Sequence, residues 1–176
     1  TDGADARLFK ALTKAVDAAG AVWELVAPKI GGITLSDGTS VAGRHKIDGG
    51  PSVLFDAVAL LPSDDGAAML AGDAPAKDFV SDAFAHCKYI GHSAEAAPLF
   101  AAAGLEDKLD EGCIALAKAG DATAFLDTCG ALRHWPREED VDLDAKTGGY
   151  KEVGDKPAPQ KAVPASDTKP PPKPTR

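Results

Sequence analysis

The chain has 176 residues, 44% of them hydrophobic and 6% aromatic, with a formal net charge of −8 and a pI near 4.9. That length allows one globular domain with a sizeable core. The acidic balance argues against nucleic acid or an anionic membrane surface as partner, since both need basic patches, and no run of about 18 apolar residues predicts a membrane span.

Taken in order, Leu8, Leu12, Ala15, Val16 and Ala19 recur at helical spacing, with Asp2 or Asp5 as the N-terminal anion and Gly20 as the stop. Residues 21–28, AVWELVAP, are a short apolar run closed by proline and predict a strand. In ITLSDGTSV (33–41), Asp37-Gly38 between β-prone flanks signals a hairpin. FDAVALLP (55–62) predicts a second buried strand. DDGAAMLAG and DAPAKDFVSDAFAHC predict a short and a longer helix, with Pro75 near a helix start. KYIG (88–91) follows as a third strand, AEAAPLFAAAG (94–104) as a helix, GCIALA (112–117) as a fourth strand, and DATAFLDTCGALRHW (121–135) as the closing helix.

Strands apolar on both faces and separated by helices indicate an α/β domain: a doubly wound, mostly parallel sheet with helices on both faces, of flavodoxin type. The folded domain is expected over residues 1–136. Beyond it, seven of the thirteen prolines fall in residues 157–174, so residues 137–176 read as a disordered, PPII-biased tail, solubilising or a ligand for a proline-binding module. The chain opens directly on the turn TDGAD, where a βαβ order calls for a strand before the first helix. The expectation is that the first strand is missing, leaving a fragment less stable than its intact parent.

Ligands of doubly wound sheets bind at the carboxyl ends of the strands. TDGADAR occupies the phosphate-loop position, but two aspartates at a helix start repel an anion, which argues against FMN or a nucleotide there. The stretch CKYIGHSAE is a near miss of the serine-hydrolase elbow G-x-S-x-G, with Glu95 in place of the second glycine. Gly91, His92 and Ser93 form this candidate elbow; Ser93 would need His45, His86 or His134 as a base. The plainer reading has Gly91 making the turn while Ser93 or His92 caps the next helix. Cys87 precedes the strand, too early for an elbow nucleophile, and is expected to pack under a helix end. Cys87, Cys113 and Cys129 are widely spaced and odd in number, which argues against a disulfide scaffold or zinc site and favours a reducing, cytoplasmic setting. No metal-ligand spacing occurs among the four histidines.

Residues 3–136 resemble the C-terminal domain appended to large-subunit haem catalases. The segments that carry the resemblance are DGADARLFKALTKAVDAAGAVWELVAPKIGGITLSDGT, GGPSVLFDAVALLPS, DFVSDAFAHCKYIGHS and CGALRHWPRE. That domain is similar to the class I glutamine amidotransferase-like, intracellular-protease and Parkinsonism-associated deglycase superfamily, whose reactive members place a cysteine at the elbow and an acid on the helix after the first strand. Here the elbow carries Gly91, His92 and Ser93, and Leu8 stands where the acid would be. The resemblance implies a haem catalase parent, converting hydrogen peroxide to water and oxygen as a homotetramer. The partners it implies are an upstream barrel domain that holds the haem and the other subunits. The proximal R-x-x-x-Y motif of that family is absent: Tyr89 and Tyr150 are preceded four residues earlier by Ala85 and Lys146. No cofactor, metal or catalytic residue is therefore expected in this chain itself. The function implied is a noncatalytic accessory domain stabilising the tetramer; the alternatives are a holdase-type chaperone and a free-standing hydrolase or deglycase using Ser93 or Cys87.

Overall fold

The computed structural model describes residues 1–140. Helix α1 spans Ala6–Ala18, and Asp5 caps it by accepting bonds from the Arg7 and Leu8 amides, which satisfies two donors otherwise orphaned at a helix start. The short strands β1 (Val26–Ala27), β2 (Ile33–Thr34), β3 (Ser40–Val41) and β4 (His45–Lys46) follow. β2 and β3 form the expected antiparallel hairpin, with Gly38 at φ +84° in its turn. The predicted strand over 21–28 is reduced to two residues, and β4, which pairs with β1 in parallel, has no signal in the sequence. Two residues are too few for a period to show.

β5 (Val58–Leu60) leads into α2 (Asp64–Ala71), capped by the Ser63 hydroxyl, and α3 (Ala74–Ala85), with Pro75 in its first turn. β6 (Ile90–His92), a 3-10 turn over Ala94–Ala96, α4 (Ala97–Ala102), β7 (Cys113–Ala115) and α5 (Asp121–Cys129) complete the order before a last 3-10 segment, Trp135–Asp140. β5, β6 and β7 form one parallel sheet with β6 in the centre.

The sheet is covered on both faces. On one, Phe79, Val80, Phe84, Leu99 and Phe100 pack against Val58, Leu60 and Ile90; on the other, Leu8, Leu12 and Phe125 pack with Tyr89 and Leu116. A third cluster joins Ala4 and Ala6 to Ala27, Ile33 and Leu35, and beside it the Phe9 ring meets Trp23 edge-on at 5.7 Å. This is the mixed α/β architecture with parallel strands and two helical layers expected from the sequence.

Among the described residues no strand precedes α1, and none runs between β1 and β5. A groove of about 850 Å³ lies there, walled by α1, by Leu25–Pro28 and by Ala57–Pro62.

Packing continues past Pro136: Arg137, placed in the tail by the sequence reading, is 2% exposed. Its charge is accommodated because Asp110 and two backbone carbonyls meet it inside the fold. Residues 141–176, with the proline-rich stretch and Tyr150, lie outside the described residues.

Candidate functional site

The carboxyl end of β6 is where the sequence points, and the structure corrects the local geometry. Gly91 lies within the strand rather than in a turn, because parallel pairing with Ala59 and Ile114 continues through His92. A Cβ at Gly91 would stand 2.9 Å from Leu116 Cδ1 and 3.1 Å from Phe125 Cζ. The glycine is thus needed for the approach of α5 to the sheet.

Ser93 opens the 3-10 turn over Ala94–Ala96, but its side chain makes no capping bond. Its Oγ is buried and meets no hydrogen-bond partner among the described residues. His92 does not cap either: its Nδ1 lies 3.3 Å from the Ser93 carbonyl oxygen, and its ring is edge-on to Phe100 at 5.1 Å. Burial lowers the His92 pKa, against a smaller upward pull from that carbonyl.

The other histidines are engaged elsewhere. His45 Nε2 is 2.6 Å from Glu24 Oε2, His134 stacks edge-on to Tyr89 and lies 3.9 Å from Asp110, and His86 stands at the C-cap of α3. The nucleophile–base hydrogen bond that would activate Ser93 is not assembled in this arrangement.

Cys87 packs under the end of α3, as expected there. It adopts φ 55°, donating its amide to the Phe84 carbonyl while its own carbonyl accepts from the His134 amide. Burial pushes its thiol pKa up, and pushes those of Cys113 and Cys129 to about 11. A reactive cysteine needs the opposite shift. All three thiols are free. Leu8, at the position where the resemblance would place an acid, is buried in the cluster around Tyr89.

The residues at the start of α1 likewise satisfy one another. The Arg7 and Leu8 amides bond the Asp5 carboxylate, and Asp2 accepts from the Thr34 amide and from Lys29. Tyr89 does not fit a haem ligand: its ring is held in the apolar cluster of α1 and α5, 7% exposed. Among the described residues, no group of three or more His, Cys, Asp or Glu is arranged to hold a metal ion, and no helix is long and apolar enough to cross a membrane.

Two buried cations beneath the strand ends were not singled out in the sequence. Lys88 Nζ donates to the carbonyls of Ser52 and Phe55, tying the 3-10 turn over Ser52–Leu54 to the start of β6; burial lowers its pKa. Arg137 binds Asp110 and the carbonyls of Phe84 and Lys88. Sequence spacing carries no signal for either, since every partner is more than twenty residues away.

No family model matches the chain. It is 54% identical over 143 residues to Catalase C of Rhizobium meliloti (strain 1021), covering 81% of this chain and 20% of that protein. Catalase HPII of Mycobacterium avium is 33% identical over 114 residues, covering 62% of this chain and 16% of that protein. The chain therefore spans about a fifth or less of the length of these catalases. Among solved structures, Schizosaccharomyces pombe DJ-1 superposes with a TM-score of 0.61 at 16% identity, covering 78% of this chain and 91% of that one. A two-domain protein with DJ-1/ThiJ/PfpI-like and ferritin-like domains from Anabaena variabilis superposes at 0.64 with 13% identity, covering 74% and 46%. At such identities the structural likeness carries the fold alone. The chain is homologous to a segment of catalases and has a DJ-1/ThiJ/PfpI-like, flavodoxin-like fold.

Proposed function

We propose that this catalase homologue acts as a noncatalytic accessory domain of a large haem catalase, stabilising the tetramer of an enzyme that converts hydrogen peroxide to water and oxygen. The observation that carries the reading is the elbow itself. Among the described residues no base bonds the Ser93 hydroxyl, and Cys87 is buried with a raised pKa, while Gly91 serves the packing of α5. On this reading the haem and its ligands belong to an upstream barrel domain, and this domain contributes surface and stability to the assembly in the cytoplasm. The sequence identity to Catalase C supports the assignment to a catalase parent.

The test is deletion of the corresponding segment from a full-length parent catalase. Lower resistance to heat and denaturant, with a weakened tetramer, is the expected result. Unchanged resistance and assembly would overturn the reading.

A holdase-type chaperone is a second reading, favoured by Val22 and Ile30, which are 88% and 89% exposed. Light scattering from a heat-aggregating client protein tests it; no suppression at equimolar ratio would remove it.

A further inference from the structure

A cleft of about 410 Å³ opens at the carboxyl ends of β1 and β4, bordered by the turn that joins α2 to α3. Its apolar walls are Pro28, Ile47, Met69, Leu70 and Pro75, and Met69 is 50% exposed there. That volume lies at the small end of the range for ligand pockets. Pro28, Ile47 and Leu70 also border the groove beside α1, whereas Met69, Asp73 and Pro75 border this cleft alone.

Lys46, Asp48 and Asp73 bring charge to the cleft, and only the first two are paired. Lys46 Nζ donates to Asp48 Oδ2 at 2.5 Å, which leaves that pair neutral as a whole. Lys29, next to Pro28 in the chain, is engaged by Asp2. The Asp73 carboxylate forms no hydrogen bond or ion pair among the described residues. It stands at the N-cap of α3, where an aspartate ordinarily accepts from the amide of the second or third helical residue. The second residue here is Pro75, which has no N–H, and no bond to the third is made. The capping that Asp5 performs for α1 and Ser63 for α2 is thus not performed by Asp73, and its charge is left to the cleft. The two helix ends offset one another. α2 brings its negative end to the cleft with no basic residue in its last turn, against the positive start of α3. The full charge of Asp73 therefore sets the sign of the site.

We propose that this cleft binds a small organic cation, a primary ammonium on an unbranched apolar chain of about five carbons. The ammonium donates to the Asp73 carboxylate, and the chain lies against Met69, Ile47 and Pro75. A free alkylamine and the lysine side chain of a partner protein share this chemistry. The proposal goes beyond the accessory-domain reading and does not depend on it.

Met69 is the single methionine of the 176 residues, so the chain isotope-labelled at the methionine methyl gives one NMR signal, and that signal sits in the wall of the cleft. Pentylammonium, Nα-acetyl-lysine methylamide and the uncharged pentanol are titrated against it. Pentylammonium should shift the Met69 signal saturably in the millimolar range, and pentanol should bind more weakly by about fivefold or more. Asp73→Asn should weaken pentylammonium by a similar factor. Lys46→Gln releases Asp48 from its pair and should tighten binding by about twofold or more; it also serves as the second variant if Asp73→Asn misfolds. Acetyl-lysine methylamide binding as well as pentylammonium identifies a partner's lysine as the occupant, and much weaker binding identifies a free amine.

No saturation by about 50 mM pentylammonium, equal affinity for pentanol, or undiminished binding to the Asp73→Asn variant would each overturn the proposal.

Discussion

Arg137 holds Asp110 in a two-pronged ion pair inside the fold: Nε lies 2.6 Å from Oδ2 and Nη2 lies 2.7 Å from Oδ1. The remaining nitrogen, Nη1, donates to the carbonyls of Phe84 and Lys88 at 3.2 and 2.8 Å, and the guanidinium carbon stands 4.0 Å above the Phe84 ring. One side chain thereby ties the last described segment to α3, to the start of β6 and to the loop before β7. Desolvation pushes the Asp110 carboxyl up, but the hydrogen bonds and charge of Arg137 outweigh it and leave the pKa below its ordinary value of 3.8.

Asp110→Asn should destabilise the fold by about 3–5 kcal/mol, because it leaves the buried guanidinium without its counter-charge. The sign of the pH dependence follows from the depressed pKa. The contribution of Asp110 is complete above about pH 4 and is lost as pH falls through the folded-state value. Urea unfolding of both proteins at several pH values checks this: the stability gap should be widest near neutrality and narrow in acid.

Gly91→Ala should cost about 1–3 kcal/mol by overpacking, since the new methyl would stand 2.9 Å from Leu116 Cδ1 and near the Phe125 ring. Gly91→Ala combined with Phe125→Leu should recover part of the loss. Thermal denaturation of the single and double variants tests it; additive destabilisation would show that α5 is not what Gly91 accommodates.

Ser93→Ala should leave stability unchanged or raise it, because the buried hydroxyl forms no bond within the described residues that its removal would break. A loss above about 1 kcal/mol would mean the hydroxyl has a partner after all.

Cys113 and Cys129, with pKa values raised to about 11 from 9, should carry about a hundredfold less thiolate near pH 8 than unperturbed thiols. Iodoacetamide labelling of the native chain followed by mass spectrometry measures this. Labelling should be slow when folded and fast in denaturant; rapid labelling of the folded chain would refute the burial assignment.

Wherever an element has enough residues to display a period or a cap, its residues announce it. The stripe Leu8, Leu12, Ala15 predicts α1, Asp37-Gly38 predicts the β2–β3 hairpin, and Pro75 marks the start of α3. β4 escapes because His45–Lys46 is too short to show a pattern and owes its pairing to β1, about twenty residues earlier. Gly91 reads as a turn residue because glycine usually is one; its use here depends on Leu116 and Phe125, which local sequence does not connect to it. Arg137 looks like the first residue of a polar tail for a similar reason. Its environment is assembled from Phe84, Lys88 and Asp110, and composition assigns a charge to the surface until such partners are known. At the candidate site, the missing elbow cysteine is visible from residue identity, whereas the lack of a base bonded to the Ser93 hydroxyl among the described residues is a fact of three dimensions.

The tryptophans give the molecule two distinct optical reporters. Trp23 is 38% exposed and edge-on to Phe9 of α1, while Trp135 is 61% exposed two residues before Arg137. Their emission is therefore a sum of two signals from different regions. Replacing either one with phenylalanine isolates the other, so that a red shift from Trp23 records α1 lifting from its neighbours and a change at Trp135 records release of the C-terminal segment. Fluorescence during unfolding can then establish which region loosens first.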